Sequence, residues 1–178
     1  MRYLDPACRG LLLVVFLWSA TSKLRSGRSL REFASSLSTM RLVGVRHAGL
    51  VAVSVAGAEA VVVALLAVPP LRAVGFLAAG ALLSLLTGGV ALVLRRGEAA
   101  PCRCFGSSPV PLGRRHLIRN VLLVGVVLVG LLAQTGQPAL AGSLVAGAAG
   151  ALVGLLVAEL DEIVQLFAPI APQRKETS

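Results

Sequence analysis

Two cysteines one residue apart, Cys102 and Cys104, lie in the only long polar break between two very apolar halves of the chain. Two neighbouring thiols can cycle between a dithiol and a disulfide, and nearby arginines such as Arg103 favour the reactive thiolate form. A Cys-x-Cys disulfide closes a small ring that should be strained and easily reduced. The spacing alone leaves three interpretations open: a redox couple, half of a metal site, or two loop cysteines without a chemical role.

The remaining cysteine, Cys8, precedes the first apolar run, whereas the pair follows the third. An odd number of membrane crossings therefore separates them, which predicts opposite membrane faces and no disulfide between them. We interpret Cys8 as a small buried thiol. No metal site is predicted, because structural zinc usually takes four Cys or His ligands and His47 and His116 do not complete such a set.

The composition indicates the elements that must position these residues. Of 178 residues, 56% are hydrophobic and only 4% are aromatic, and the mean hydropathy of +0.85 is too high for a soluble domain. Five apolar runs approach the roughly 20 residues that a spanning helix needs. We predict an all-α polytopic membrane helix bundle in one domain, residues 1–168, followed by a polar tail, residues 169–178. The predicted spans are residues 7–22, 48–68, 72–94, 117–133 and 139–158.

The first run is the weakest of the five. Read alone, it is compatible with a signal peptide that starts at Arg2. Trp18 and the early return to charge at Lys23 make a poor cleavage region, so a retained helix is predicted. Lys23 itself is expected to extend to the lipid head groups.

Small residues recur every fourth position on two of the runs. Close helix packing inside the bundle is predicted along both stripes, because small residues let helix backbones approach. The stripes are Gly142, Ala146, Gly150 and Gly154 in the last run, and Ala52, Ala56, Ala60 and Ala64 in the second.

The formal net charge is +9, but its placement argues for a membrane and against nucleic acid. Fourteen basic residues fall on one side of the alternating spans and only three on the other, which predicts an outside N-terminus and a cytoplasmic cysteine loop. The basic loops also suit anionic lipid head groups. The majority set is Lys23, Arg25, Arg28, Arg31, Arg41, Arg46, Arg95, Arg96, Arg103, Arg114, Arg115, Arg119, Arg174 and Lys175; the minority is Arg2, Arg9 and Arg72.

Two polar residues in or beside the spans have both a functional and a structural interpretation. Glu59 lies deep in the second span, so it should be protonated, paired or turned to the bundle interior. It could contact a proton or a quinone, or bond to a neighbouring helix. His116 could shuttle protons, although its position beside Arg114 and Arg115 favours a solvated interfacial side chain.

Several short motifs occur in a consistent order along residues 7–133. They are Phe16-Leu17-Trp18-Ser19-Ala20-Thr21-Ser22-Lys23-Leu24, then Phe33 and Leu37, Glu59, Cys102-Arg103-Cys104-Phe105-Gly106, Pro111-Leu112-Gly113, and Arg119-Asn120. In these motifs the chain resembles the MauE branch of the DoxX-like membrane proteins, named for methylamine utilisation. It is also broadly similar to the DsbB- and VKOR-type four-helix redox proteins.

The resemblance implies a redox-associated protein of the cell membrane. Cys102 and Cys104 would exchange disulfides with a thioredoxin-like protein or a disulfide-containing client and so support its maturation. Arg103, Arg119, Asn120, Glu59 and His116 would support the pair. No cofactor is required, although a membrane quinone could accept the electrons. Disulfide formation belongs outside the cell, in conflict with the charge-based topology. The alternative is a non-catalytic membrane assembly or scaffold factor with structural or incidental cysteines.

Overall fold

The computed structural model describes residues 3–97, 113–134 and 139–160. These residues form six α-helices and no strand, as the all-α prediction requires. The helices are α1 (Leu4–Leu24), α2 (Gly27–Thr39), α3 (Val45–Ala67), α4 (Arg72–Arg95), α5 (Arg114–Leu132) and α6 (Leu140–Ala158), with a short 3-10 turn at Pro69–Leu71 before α4.

Five of these helices, all except α2, are long and apolar enough to cross a membrane. The predicted multi-pass bundle is therefore confirmed, and each predicted span boundary lies within three residues of the observed helix end. Helix α1 is an integral part of the bundle, since Leu12, Val15 and Phe16 are buried in the same core as Phe76 of α4 and Leu123 of α5. Because α1 contributes these core residues, the bundle as described depends on it.

Helix α2 is amphipathic and lies between the first two predicted spans, where no helix was predicted. The Ser26 hydroxyl caps its N-terminus by accepting a hydrogen bond from the Ser29 N–H at 3.1 Å. Phe33 and Leu37 are buried against Ala52 of α3. The spacing of Leu30, Phe33 and Leu37 is the helical signal that could have revealed α2.

Contacts between helices define two ends of the bundle. At the first end, the Arg9 guanidinium donates hydrogen bonds to the last carbonyls of α3, at Leu66 and, 2.8 Å away, Ala67. At the same end, Arg72 lies 3.8 Å from Asp5. At the second end, where α1 and α4 finish and α5 begins, Met40 packs with residues of α4 and α5.

Helix α6 packs along α1 through glycine. A Cβ atom on Gly154 would lie 2.6 Å from the carbonyl oxygen of Leu11, and one on Gly150 would be closer still to the carbonyl oxygen of Ala7. From α1, Gly10 makes a similarly close approach to the Gly147 carbonyl. Real Cβ atoms do not approach so closely, so these glycines are what allow the two backbones to meet. The predicted close packing of the last span inside the bundle is confirmed.

The alanine stripe predicted on α3 is only half correct. Ala52 and Ala56 are fully buried, but Ala60 and Ala64 are exposed. Four residues of an α-helix turn through about 400°. Residues spaced four apart therefore shift by about 40° around the helix axis at each step. The buried face of α3 instead continues through Glu59, Val62 and Leu66.

Candidate functional site

A buried ion pair joins α1 and α3 in the interior of the bundle. Lys23 Nζ lies 2.9 Å and 3.0 Å from the two carboxylate oxygens of Glu59. The Ser19 hydroxyl lies 2.9 Å from Glu59 Oε1 and 2.6 Å from Lys23 Nζ, so it joins both charged groups. All three residues are at most 2% exposed. We call Ser19, Lys23 and Glu59 the closed network.

The expectation that Lys23 extends to the lipid head groups is wrong. Ser19 and Lys23 are four residues apart on α1 and so share the helix face that meets Glu59. The ammonium group thereby finds an anion inside the bundle, where each charge compensates the other. Of the three states expected for Glu59, protonated, paired or turned to the bundle interior, the structure shows a paired carboxylate that faces the interior.

Helix α2 covers the closed network. The Phe33 ring is 2% exposed, and its centroid lies 5.1 Å from Lys23 Nζ, within the range of a cation–π interaction. Three helices, α1, α2 and α3, therefore meet at one polar point. The carboxylate of Glu59 accepts from both Lys23 and Ser19, so the network satisfies its own charges.

A second set of buried polar residues lies near the start of α5. His116, Arg119 and Asn120 are each at most 6% exposed, and we call them the α5 group. His116 Nδ1 accepts a hydrogen bond from the Gly113 N–H at 3.3 Å. Asn120 Oδ1 is buried and has no hydrogen-bond partner among the residues that the structure describes. The expectation of a solvated interfacial His116 is wrong, because His116 turns inward beside Arg119 and Asn120.

Ser19 of the closed network and Arg119 of the α5 group lie at similar distances from the second end of the bundle. Ser19 is five residues before the end of α1, and Arg119 is five residues after the start of α5. At 1.5 Å per residue, both are about 7–8 Å inside the second end. Helices α1 and α5 pack against each other, and we call the closed network and the α5 group together the polar layer.

The predicted exchange pair, Cys102 and Cys104, lies outside the described residues, as does Arg103. Their segment joins Gly97 to Gly113, and both attachment points belong to the second end, where Leu94 and Leu117 pack on Met40. Cys8 belongs to the first end, beside Arg9. The attachment points and Cys8 are thus at opposite ends of the bundle, as the parity of the crossings predicts.

Within residues 3–97, 113–134 and 139–160, no three His, Cys, Asp or Glu side chains come together in a way that could hold a metal ion. His47 is exposed at the start of α3, and His116 is buried near the start of α5. The described residues therefore offer hydrogen bonding and charge, but no metal centre.

A comparison with protein families shows which family the chain belongs to. The family model described as methylamine utilisation protein MauE matches residues 1–133. The chain belongs to this MauE family. The match includes α1 to α5, both sets of buried polar residues and the cysteine segment, whereas α6 lies beyond it. No curated protein and no solved structure matched the chain.

Sequence reasoning named every residue of these two buried sets but not their arrangement. Ser19 appeared only within a motif, and no signal marked it as a partner of Glu59. The spacing of Ser19 and Lys23, together with a lone acid in the next span, is the pattern that could have suggested the pair.

Proposed function

We propose that this MauE-family chain is a thiol–disulfide oxidoreductase of the cell membrane, with Cys102 and Cys104 as the exchanging pair. The observation that carries the proposal is the place where the cysteine segment attaches. It leaves α4 at Gly97 and enters α5 at Gly113, three residues before the buried His116. Four residues separate Gly97 from Cys102, so their Cα atoms lie at most about 18 Å apart. The pair is therefore tethered to the end of the bundle that holds the polar layer.

The exchange needs two thiols in succession. One thiolate of the pair attacks a disulfide of a thioredoxin-like partner, forming a mixed disulfide and releasing one partner thiolate. The second thiolate of the pair then attacks the mixed disulfide, which leaves a Cys102–Cys104 disulfide and a partner dithiol. Two electrons and two protons pass to the partner. The same two steps in reverse place a disulfide in a client.

The surrounding residues differ in the support that they can give. Arg103 and Arg119 are cations that favour thiolate over thiol. His116 is the one imidazole of the polar layer and can carry a proton. Glu59 is already bonded to Lys23 and Ser19, so we propose that its role is to hold α1 in position against α3.

A membrane quinone would, when bound, accept the two electrons and two protons of the reduced pair. Asn120 is the described residue that fits such a group, because its buried Oδ1 has no hydrogen-bond partner in the described part of the chain and can accept from a quinol hydroxyl.

Trapping tests the proposal. Single Cys102→Ser and Cys104→Ser variants are expressed in cells and resolved on non-reducing gels. At least one of them should accumulate a mixed disulfide with a partner, since the resolving thiol is missing. Cys8→Ser is the matched control and should trap nothing. If neither variant traps a partner and a double Cys→Ala variant supports client maturation fully, the assembly or scaffold function is selected instead.

Labelling of intact cells with a membrane-impermeant maleimide determines the direction of the exchange. The structure buries Lys23 and Arg119, yet twelve basic residues still oppose three, so the charge bias predicts that the pair faces the cytoplasm and is protected. Protection of the pair from the reagent would indicate that the pair reduces a cytoplasmic partner. Labelling from outside would overturn the charge-based topology and assign disulfide formation.

A further inference from the structure

Helix α2 fills the space beyond the end of α1. Lys23 lies one residue before the end of α1, whereas its partner Glu59 lies about 21 Å along α3 from the first residue of that helix. Helix α3 therefore extends past the end of α1, and α2 packs on this extension through Phe33 and Leu37, which are buried against Ala52. The Phe33 ring, with its centroid 5.1 Å from Lys23 Nζ, covers the closed network on this side.

The packing of α2 is separate from the main core of the bundle. Its buried apolar residues form a small cluster with the first half of α3, apart from the core that α1, α3, α4 and α5 share. Two of its polar side chains bond within the helix itself, Arg28 to Glu32 and Thr39 to the Ser35 carbonyl. A helix of 13 residues has little stability of its own in water. A few apolar contacts therefore decide whether α2 stays docked.

The connection from α2 to α3 is strained and anchored. Arg41 has φ of +49°, in the left-handed region that favours glycine, and within the described part of the chain it is the one non-glycine residue with positive φ. The preceding Met40 is buried with Val90 and Val93 of α4, which holds this connection in place. Backbone strain of this kind is concentrated at segments that switch between conformations. Helix α2 thus ends at a strained hinge whose position is fixed by α4.

We propose that α2 is a lid that opens and closes over the closed network while the five spans stay folded. Closed, as in this structure, the lid seals the Lys23 ammonium between Phe33 and Glu59, and the ion pair holds α1 against α3. Open, it gives water access to Lys23, whose ammonium can then leave Glu59 and release α1 from α3. Movable lids belong to the less stable parts of a fold, as the packing of α2 does. The lid is independent of the exchange chemistry proposed above, since it needs neither cysteine of the pair.

Labelling of lysine tests the lid directly, because Lys23 and Lys175 are the only lysines of the chain. The purified full chain in neutral detergent is treated with a water-soluble acetylating reagent, and mass spectrometry follows each lysine separately, with Lys175 as the reference for reagent activity. We expect slow acetylation of Lys23 in the folded parent. The rate should rise at least about tenfold in Phe33→Ala, because truncating a buried phenylalanine removes the main contact that docks α2. The matched control Ser35→Ala, at an exposed position on α2, should leave the rate unchanged.

A second control, Leu83→Ala, separates opening of the lid from unfolding of the bundle. Leu83 is buried in the main core on α4, so this variant lowers the stability of the bundle and should still acetylate Lys23 at the parent rate. An increase in Leu83→Ala equal to that in Phe33→Ala would overturn the proposal, because Lys23 would then be reached only through global unfolding. Complete protection of Lys23 in the folded parent would overturn it as well.

The variant Phe33→Leu covers the case in which Phe33→Ala fails to fold. It keeps an apolar side chain on α2 and removes only the ring face over the ammonium, so a rise in the acetylation rate of about fivefold is expected. An acetylation rate equal to that of the parent would show that the Phe33 ring does not close the network, and would overturn the lid.

Discussion

The closed network and Asn120 of the α5 group differ in how far their buried polar atoms are hydrogen-bonded. In the closed network, the Glu59 carboxylate, the Lys23 ammonium and the Ser19 hydroxyl bond to one another across α1 and α3. In the α5 group, Asn120 Oδ1 is buried without a partner in the described part of the chain. A satisfied network fixes how helices pack, whereas a buried group with unused bonding capacity lowers stability unless a ligand or a partner completes it. The closed network therefore joins α1 and α3, whereas a chemical role for the α5 group is part of our proposal.

The largest expected effect comes from breaking the closed network at its acid. Glu59→Ala leaves the Lys23 ammonium buried beside Phe33 without its anion, which should lower the free energy of unfolding by about 3–5 kcal/mol. Unfolding of the purified chain by titration with a denaturing detergent measures the change. The double variant Lys23→Met/Glu59→Leu is the control and should recover most of the loss, because no charge is left unpaired. A Glu59→Ala variant as stable as the parent would contradict the buried pair.

Removing the shared hydroxyl tests whether the network acts as a unit. Ser19→Ala deletes the group that bonds to both Glu59 and Lys23, so the free energy of unfolding should fall by about 1–3 kcal/mol. Ser22→Ala, one helical turn away, removes a hydroxyl that bonds only to the Ser19 carbonyl of its own helix. This control should change the unfolding free energy by less than about 0.5 kcal/mol. Equal losses in the two variants would mean that Ser19 contributes nothing specific.

The α5 group predicts a change of the opposite sign. Asn120→Leu replaces an amide whose buried Oδ1 has no partner in the described part of the chain by an apolar side chain of similar size, which should raise the free energy of unfolding by about 1–2 kcal/mol. If Asn120 serves the proposed exchange, the same variant should slow disulfide exchange with the partner, although the variant protein is more stable. A loss of stability would place Asn120 among the satisfied groups and remove the contrast between the two sets.

The smallest expected effect on stability comes from changing Phe33, which packs over the closed network. Phe33→Leu keeps an apolar side chain over Lys23 but removes the ring face, so a loss of about 1 kcal/mol is expected. In the background Lys23→Met/Glu59→Leu the cation is absent, and the same substitution should cost less. The difference between the two backgrounds in a double-mutant cycle gives the cation–π contribution. No difference would show that Phe33 acts through packing alone.

Much of the fold follows from local sequence properties. The number of spans and their ends within three residues follow from apolar run length, because a bilayer sets the length of a spanning helix. The glycine repeat of α6 also predicted its packing correctly, since absent side chains permit backbone contact wherever a partner lies. Helix α2 was missed because it has only three large apolar residues, Leu30, Phe33 and Leu37. Its many serine and charged residues have the composition of a loop.

The site was less accessible to sequence reasoning for a physical reason. Whether Lys23 reaches the lipid head groups or pairs inside the bundle depends on the rotation of α1 relative to α3, which no local pattern encodes. The same holds for His116, whose neighbours Arg114 and Arg115 are exposed while its own ring turns inward. For α3, alanine at every fourth position was taken to mark one buried face. Because a helix has 3.6 residues per turn, the later alanines of that repeat face outward.

By itself, the sequence determined the membrane class, the helical architecture, the alternation of charge and the pair Cys102 and Cys104 as the candidate redox centre. These properties depend on run length, composition and spacing, which are local. Only the tertiary structure decided that Lys23, Ser19 and Glu59 form one closed network, that Asn120 is buried with an unused acceptor, and that Arg96 donates to the carbonyl oxygen of Arg41. Such contacts join residues 36 to 55 positions apart, and they form only after whole helices have docked in one rotation and register.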